Sequence, residues 1–227
     1  TVNALFAARQ WARLTKPHIR RPEVVAPFSV HNVLSKAAEY LDLTVVRSPL
    51  RDDLHADVDA LESLIGPDTI AIMASAPNLA FGYYDDMPRL GRLAIEHDLW
   101  LHVDATIGGF LAPFVSANGE HVPPWDFTVP GVRSMSAAFD KWAYAMKPAA
   151  VLAWRDLESK QYAVVTTGDW PLEPATSSGI GGGRSGGPVA AVWAVFHHLG
   201  AEGYRLLASH LTEGQREYAR RLAQVPG

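Results

Sequence analysis

Lys141 is the residue whose chemistry is easiest to name. It lies in Ala137-Ala138-Phe139-Asp140-Lys141-Trp142-Ala143-Tyr144, between two predicted strands and among aromatic and small residues. A lysine in that setting is expected to be partly desolvated. Desolvation favours the neutral amine, which can attack a carbonyl and form a Schiff base. The plainer alternative is a lysine whose stem lies along apolar surface while its ammonium pairs with Asp140 or Asp126. Asp104 ends the apolar run Leu99-Trp100-Leu101-His102-Val103, where open parallel sheets place their ligand sites. His102, two residues earlier, projects to the same face. A carboxylate there can also serve only to satisfy the following loop, and His102 with Asp104 lacks the third ligand that a metal needs. The glycine-rich run Gly179 to Gly187 leads into a predicted helix, so its backbone N–H groups and Arg184 could hold a phosphate. It is neither a P-loop nor a dinucleotide fingerprint, and a mobile surface loop is the competing reading. His31 opens another helix, a position that suits a capping or core histidine as well as a ligand.

The elements that must position these residues alternate along the chain. Helical apolar spacing covers Ala4 to Arg13, His31 to Leu41, Asp57 to Ile65 and Pro88 to His97. Between them lie short strand-type runs at Glu23 to Ala26, Leu43 to Val46, Thr69 to Met73 and Leu99 to Val103. Thr69-Ile70-Ala71-Ile72-Met73 is almost wholly apolar, as expected of a strand covered on both faces. The rhythm predicts an α/β fold, three layers α/β/α around a mostly parallel sheet. After Asp104 it loosens, with Gly108-Gly109, Pro113, Pro123-Pro124 and Pro130 in a long irregular stretch. Arg133 to Ser136 and Ala149 to Trp154 read as two more strands flanking the Lys141 connection. Ser177 to Gly187 reads as a loop, and Val189 to Leu199 and Glu202 to Leu222 as two helices.

Composition narrows the function classes. The 227 residues carry 20 Lys plus Arg against 24 Asp plus Glu, a net charge of −4 with no basic block, which disfavours nucleic acid as a partner. No apolar run approaches the length of a membrane span, and the N-terminus does not read as a secretion signal. With no cysteine, disulfides, thiolate metal sites and cysteine nucleophiles are excluded. No Gly-x-Ser-x-Gly elbow supports a serine hydrolase. A cytoplasmic location is the expectation.

The candidates occur in a telling order. Leu101-His102-Val103-Asp104-Ala105-Thr106-Ile107-Gly108-Gly109-Phe110 resembles the His-Val-Asp-Ala signature of pyridoxal-phosphate enzymes of fold type I, specifically the group II decarboxylase and sphingosine-1-phosphate lyase branch. Val30 to Ala38, Ser75-Ala76-Pro77, Asp126-Phe127-Thr128-Val129-Pro130-Gly131-Val132, Thr166-Thr167-Gly168-Asp169-Trp170-Pro171 and Gly183-Arg184-Ser185-Gly186-Gly187 are collinear with that pattern. The resemblance implies pyridoxal 5'-phosphate as cofactor and a carbon–carbon lyase acting on a small-molecule amine, either an amino-acid decarboxylase or an aldehyde-lyase. It makes Lys141 the Schiff-base lysine, Asp104 the partner of the pyridine nitrogen and His31 the histidine stacked on the ring. That nitrogen, kept protonated, makes the ring an electron sink. Thr1 matches the threonine of a phosphate-binding turn, Ala105 follows the aspartate in the signature, and the Gly183 loop matches one supplied by a neighbouring subunit. A homodimer with its active site at the interface is therefore expected.

The sequence also departs from the pattern. Asp140 stands where the family has a histidine touching the cofactor phosphate. A carboxylate there is unfavourable unless Arg184 or another cation compensates it. Phe81 replaces a histidine before Gly82, and Met146-Lys147-Pro148 replaces Pro-Lys-Gly. Residues 1–227 correspond to part of the large cofactor-binding domain of a fragment. Residues 201–227 are expected to begin the connection to a missing small C-terminal domain. Two alternatives remain: a non-catalytic homologue that keeps the fold, and an aminotransferase of the same fold.

Overall fold

β-branched and apolar runs form the sheet, and the amphipathic segments between them cover its two faces. The computed structural model describes residues 1–169, 171–172 and 174–225. The elements run α1 (Val2–Thr15), β1 (Glu23–Pro27), α2 (Val33–Leu41), β2 (Thr44–Ser48), α3 (Val58–Ser63), β3 (Thr69–Ser75), α4 (Met87–Glu96) and β4 (Trp100–Asp104). There follow α5 (Ala112–Ala117), β5 (Val132–Ala138), β6 (Ala150–Trp154), α6 (Leu157–Gln161), β7 (Val164–Thr167), β8 (Ala175–Ser178) and α7 (Gly186–Leu222).

Six strands form one sheet in the order β2-β1-β3-β4-β5-β6. All neighbours are parallel except β5 and β6, which are antiparallel. The chain crosses from β2 over β1 to β3, so strand order reverses at β1 and β3. That makes their carboxyl ends the crevice where such sheets bind ligands. The two apolar layers follow from strand alternation. Val25, Ile72, Leu101 and Val103 pack with α3 and α4 residues such as Leu61 and Leu90, while Val24, Ala26, Met73 and Trp100 pack with Leu5, Trp11 and Leu34 of α1 and α2. Trp100 anchors the second layer, with Trp11 and Trp154 each 6.1 Å away and Tyr162 at 6.2 Å between ring centroids.

The expected three-layer architecture is present, with differences after Asp104. Ala175 to Ser178 pairs with Val164 to Thr167 as a two-stranded antiparallel ribbon, so Ser177 and Ser178 belong to a strand and not to the loop that the glycines suggested. Gly186 and Gly187 likewise already belong to α7. Their helical conformation is anchored by the Ser185 hydroxyl, which accepts from the Gly187 N–H. The two predicted C-terminal helices are contiguous through α7, but Gly200, at φ 57° and ψ −176°, breaks the helical geometry between them. The short helices α5 and α6 lie in stretches read as irregular or not read at all. Trp170, in the Asp-Trp-Pro motif, and the terminal Pro226-Gly227 lie outside the described residues.

Candidate active site

The register of the sheet builds the site. Ser75 on β3 pairs with Asp104 on β4, and Asp104 with Ser136 on β5, so one row of the carboxyl edge carries Ser75, Asp104 and Ser136. The row below carries Met73, His102 and Ser134. Just past these ends a cavity of about 270 Å³ opens, lined by Thr1, His31, Ser75, Pro77, Asp104, Thr106 and Lys141 among others. Four residues singled out by the sequence, up to 140 positions apart, thus share one cavity.

Asp104 is buried and strongly held. Its Oδ1 accepts from the Thr106 N–H at 3.1 Å, from the Thr106 hydroxyl and from the Ser136 hydroxyl at 3.4 Å. Its Oδ2 receives only the Thr1 hydroxyl, at 3.4 Å, so that oxygen keeps acceptor capacity for a further donor. Beneath it a polar ladder runs down the same face. The Trp100 Nε1–H donates to Ser134 Oγ at 2.9 Å, His102 Nδ1 lies 3.0 Å from the same hydroxyl, and His102 Nε2 lies 3.3 Å from Ser136 Oγ. Burial holds the His102 pKa down to about 3 against the opposing pull of Asp104, so the ring is neutral. His102 is therefore a buried member of the hydrogen-bond network and not a ligand at the surface of the site.

His31 makes the capping contact that its position suggested and also faces the cavity. It lines the cavity, and its Nδ1 accepts the Val33 N–H at 3.1 Å at the start of α2. That bond leaves Nδ1 without a proton and fixes the ring orientation. Arg47 of β2, which sequence reasoning did not single out, pins the loop before His31. Its Nη1 donates to the carbonyls of Pro27 at 3.2 Å and Val30 at 2.9 Å. No sequence signal marked Arg47, because the loop it grips comes from the strand twenty residues earlier.

Lys141 departs from expectation. Its side chain is 39% exposed and its Nζ lies 3.7 Å from Asp140 Oδ2, so the pairing alternative describes it and the expected desolvation does not. The cause is the loop from Asp140 to Pro148, which carries Lys141 to the mouth of the cavity instead of its floor. Asp140 also lies 3.8 Å from Lys147 Nζ. Lys147 is thus the cation that offsets Asp140, while Arg184 Nη1 is turned back onto the Gly182 carbonyl at 2.6 Å. Gly183 is exposed and lies apart from this cavity, and Ala105 is buried behind Asp104 in the apolar layer of α3 and α4.

The glycine pair of the signature is explained by close approach. A Cβ on Gly108 would lie 2.5 Å from the Ala76 carbonyl oxygen and 2.6 Å from Pro77 Cδ, and one on Gly109 would lie 2.7 Å from Ala137 Cβ. The loop after β4 can therefore nest between the loop after β3 and the end of β5 only without side chains at these positions.

The domain model described as the pyridoxal-dependent decarboxylase conserved domain matches residues 9–225. The chain belongs to the pyridoxal-dependent decarboxylase family. It is 34% identical to a sphingosine-1-phosphate lyase of Oryza sativa over 99% of its own length and 41% of that protein. It is 36% identical to a probable L-tyrosine/L-aspartate decarboxylase of Methanocella arvoryzae, over 95% of this chain and 56% of that one. Among solved structures it resembles a sphingosine-1-phosphate lyase of Burkholderia pseudomallei with a TM-score of 0.87 and 36% identity, covering 92% of this chain and 48% of the other. The chain thus spans about half the length of the relatives it matches. Pyridoxal 5'-phosphate is the cofactor of this decarboxylase family, and the cavity fits its reactive end. An amine, an acceptor-rich carboxylate and an oriented imidazole surround a space of about 270 Å³.

Proposed function

We propose that the protein catalyses carbon–carbon bond cleavage beside an amino group, as a pyridoxal-phosphate-dependent carboxy-lyase or aldehyde-lyase. The observation that carries this reading is the convergence of Lys141, Asp104, His31 and Thr1 on one cavity at the carboxyl edge of a parallel sheet. Lys141 Nζ would hold the cofactor aldehyde covalently as a Schiff base, Asp104 Oδ2 the pyridine nitrogen, the His31 ring the cofactor face and Thr1 Oγ1 the phosphate end. When bound, the cofactor supplies an electron sink for the pair released from the cleaved bond.

The chain's own residues set up that chemistry. Asp104 is held in place by three donors on Oδ1, so Oδ2 can accept from a ring nitrogen without first reorganising. His31 cannot turn its Nδ1 into the cavity without losing the Val33 contact, which keeps its plane fixed. Lys141 Nζ, at the open mouth, is the group placed to carry a proton to and from an incoming amine. Asp140 and Lys147 flank it and leave the local charge positive, which suits a phosphate-bearing ligand. The substrate is a small-molecule amine, and the assembly is a homodimer in which a partner loop, Gly183 included, completes the phosphate end.

The test is an absorbance titration with pyridoxal phosphate beside a Lys141→Ala variant, followed by assays for released carbon dioxide and for released aldehyde. A saturable visible band that borohydride bleaches, present in wild type and lost in the variant, is the expected result. Identical behaviour of the two proteins would sink the assignment of Lys141. Cofactor capture with neither product from any amine would favour the non-catalytic homologue.

A further inference from the structure

A second cavity, of about 320 Å³, lies on the α3 and α4 side, between the starts of those helices and Pro123-Pro124. Asp85 lines it and is the most unusual side chain there. It is only 3% exposed, and its Oδ2 accepts the Ser75 N–H at 2.7 Å. Its Oδ1 has no hydrogen-bond partner. A buried carboxylate oxygen without a donor costs free energy, so its retention calls for a partner.

The neighbouring charges define what that partner would be. Asp57 and Asp86 each spend one oxygen capping a helix, on the N–H of Ala60 and of Arg89 respectively. Asp59 is taken by Arg89, which also holds Glu62, and Arg51 is occupied with Asp53. The cationic side chains are therefore already committed to other carboxylates, and His55 is stacked on Tyr83 with centroids 3.9 Å apart. Burial pushes the Asp85 pKa up to about 7, against the Ser75 N–H bond and the nearby His55, which both favour its ionised form. Tyr84, half-buried on the same wall, has its own pKa raised by burial and brings no positive charge. Among the described residues no group of three or more His, Asp or Glu has an arrangement that could hold a metal ion. A cation that carries its own N–H donors meets the requirement where a bare ion does not.

We propose that this second cavity binds a small organic cation, an ammonium or guanidinium group, through Asp85 Oδ1. The volume suits a ligand of a few heavy atoms, and its acidic rim attracts positive charge. Because Asp85 also grips the backbone of Ser75, which lines the first cavity, an occupant would be felt at the wall of that cavity. The site stands independently of the lyase reading.

The Ser75 amide is a built-in reporter, since its hydrogen is donated to Asp85. At pH 8, where Asp85 is ionised, methylguanidinium is titrated into the isotope-labelled protein at constant ionic strength, with tetramethylammonium, which has no N–H donor, as the matched control. The expected result is a saturable shift of the Ser75 amide with methylguanidinium alone, weakened about tenfold or more in Asp85→Asn, as loss of a charge-assisted hydrogen bond implies. Asn keeps an oxygen for the Ser75 N–H, so the variant removes the charge and not the anchor. No saturable shift, an equal shift with tetramethylammonium, or equal affinity in the variant would each overturn the proposal. If the variant does not fold, the comparison of the two cations on the wild-type protein decides alone.

Discussion

Two buried groups give the protein opposing pH dependences, and removing one should expose the other. Asp85 has a folded-state pKa raised from 3.8 to about 7, and His102 one lowered from 6.5 to about 3, both chiefly by burial. For Asp85 the folded state binds more protons than the unfolded one between about pH 4 and 7. Its contribution is fully present below pH 4 and is lost as pH rises through 7, an amount of about 4 kcal/mol in all. For His102 the unfolded state binds more protons between about pH 3 and 6.5, so its contribution is present above 6.5 and is lost as pH falls through 3. From about pH 4 to 6.5 the two slopes, each at most about 1.4 kcal/mol per pH unit, are opposite in sign. Asp85→Asn removes the first slope. Its stability relative to wild type should therefore rise by about 2 kcal/mol between pH 4.5 and 6. Urea unfolding at a series of pH values measures this directly, because exposed carboxylates such as Asp59 and Glu217 titrate alike in both proteins and drop out of the difference. Parallel stability curves would show that Asp85 is ionised in the folded protein across this range, and the argument from burial would fail.

Three further outcomes follow from the geometry. Gly108→Ala should destabilise by about 1–3 kcal/mol through overpacking and should weaken pyridoxal phosphate capture, because the added methyl drives against the Ala76 carbonyl and Pro77; urea midpoints and the absorbance titration report the two effects. Ser136→Ala should cost about 1–3 kcal/mol in urea unfolding, since it strips His102 Nε2 and Asp104 Oδ1 of a shared buried partner. Ser136→Thr, which keeps the hydroxyl, should recover part of that loss. Arg47→Met removes both bonds to the loop before His31 and should cost about 1.5–3 kcal/mol; faster amide exchange at Val30 and Val33 would show that the loop has loosened.

What the sequence made legible is what short-range pattern encodes. The strands β1 to β4 announce themselves as apolar runs of strand length, and the helices between them by apolar spacing and stop signals such as Gly66-Pro67. Alternation alone put His102 and Asp104 on one face, and the place of Asp104 past a strand end pointed to the sheet's carboxyl edge. The ribbon of β7 and β8 was hidden because Ala175-Thr176-Ser177-Ser178 has neither an apolar face nor strong β-formers, and all four residues are exposed. Its pairing depends on partners eight to fourteen positions away. The helix α5 was hidden because Ala112-Pro113-Phe114 begins with a proline that reads as punctuation, although the first turn of a helix accepts it. Arg47 and Lys147 were hidden for a deeper reason. Their significance lies in which backbone or carboxylate they meet after folding, and a lone basic residue in a largely apolar stretch gives no sign of that.

The Asp140 position shows how the same limit cuts the other way. Read along the chain, an aspartate next to the reactive lysine is a defect, since it sets a negative charge against an anionic cofactor and against a neutral amine. In the folded protein Asp140 is mostly buried between two ammonium groups, at 3.7 Å and 3.8 Å. Three charges in that arrangement sum to one positive charge, the same sign that a lone cationic side chain would supply at the phosphate end. The cost is that Lys141, 39% exposed, is drawn toward Asp140 by a 3.7 Å contact that is long for an ion pair and correspondingly weak. A covalent bond to the lysine outweighs a tether of that size. What Asp140 changes is therefore the resting position of Lys141, while Lys147 offsets its negative charge.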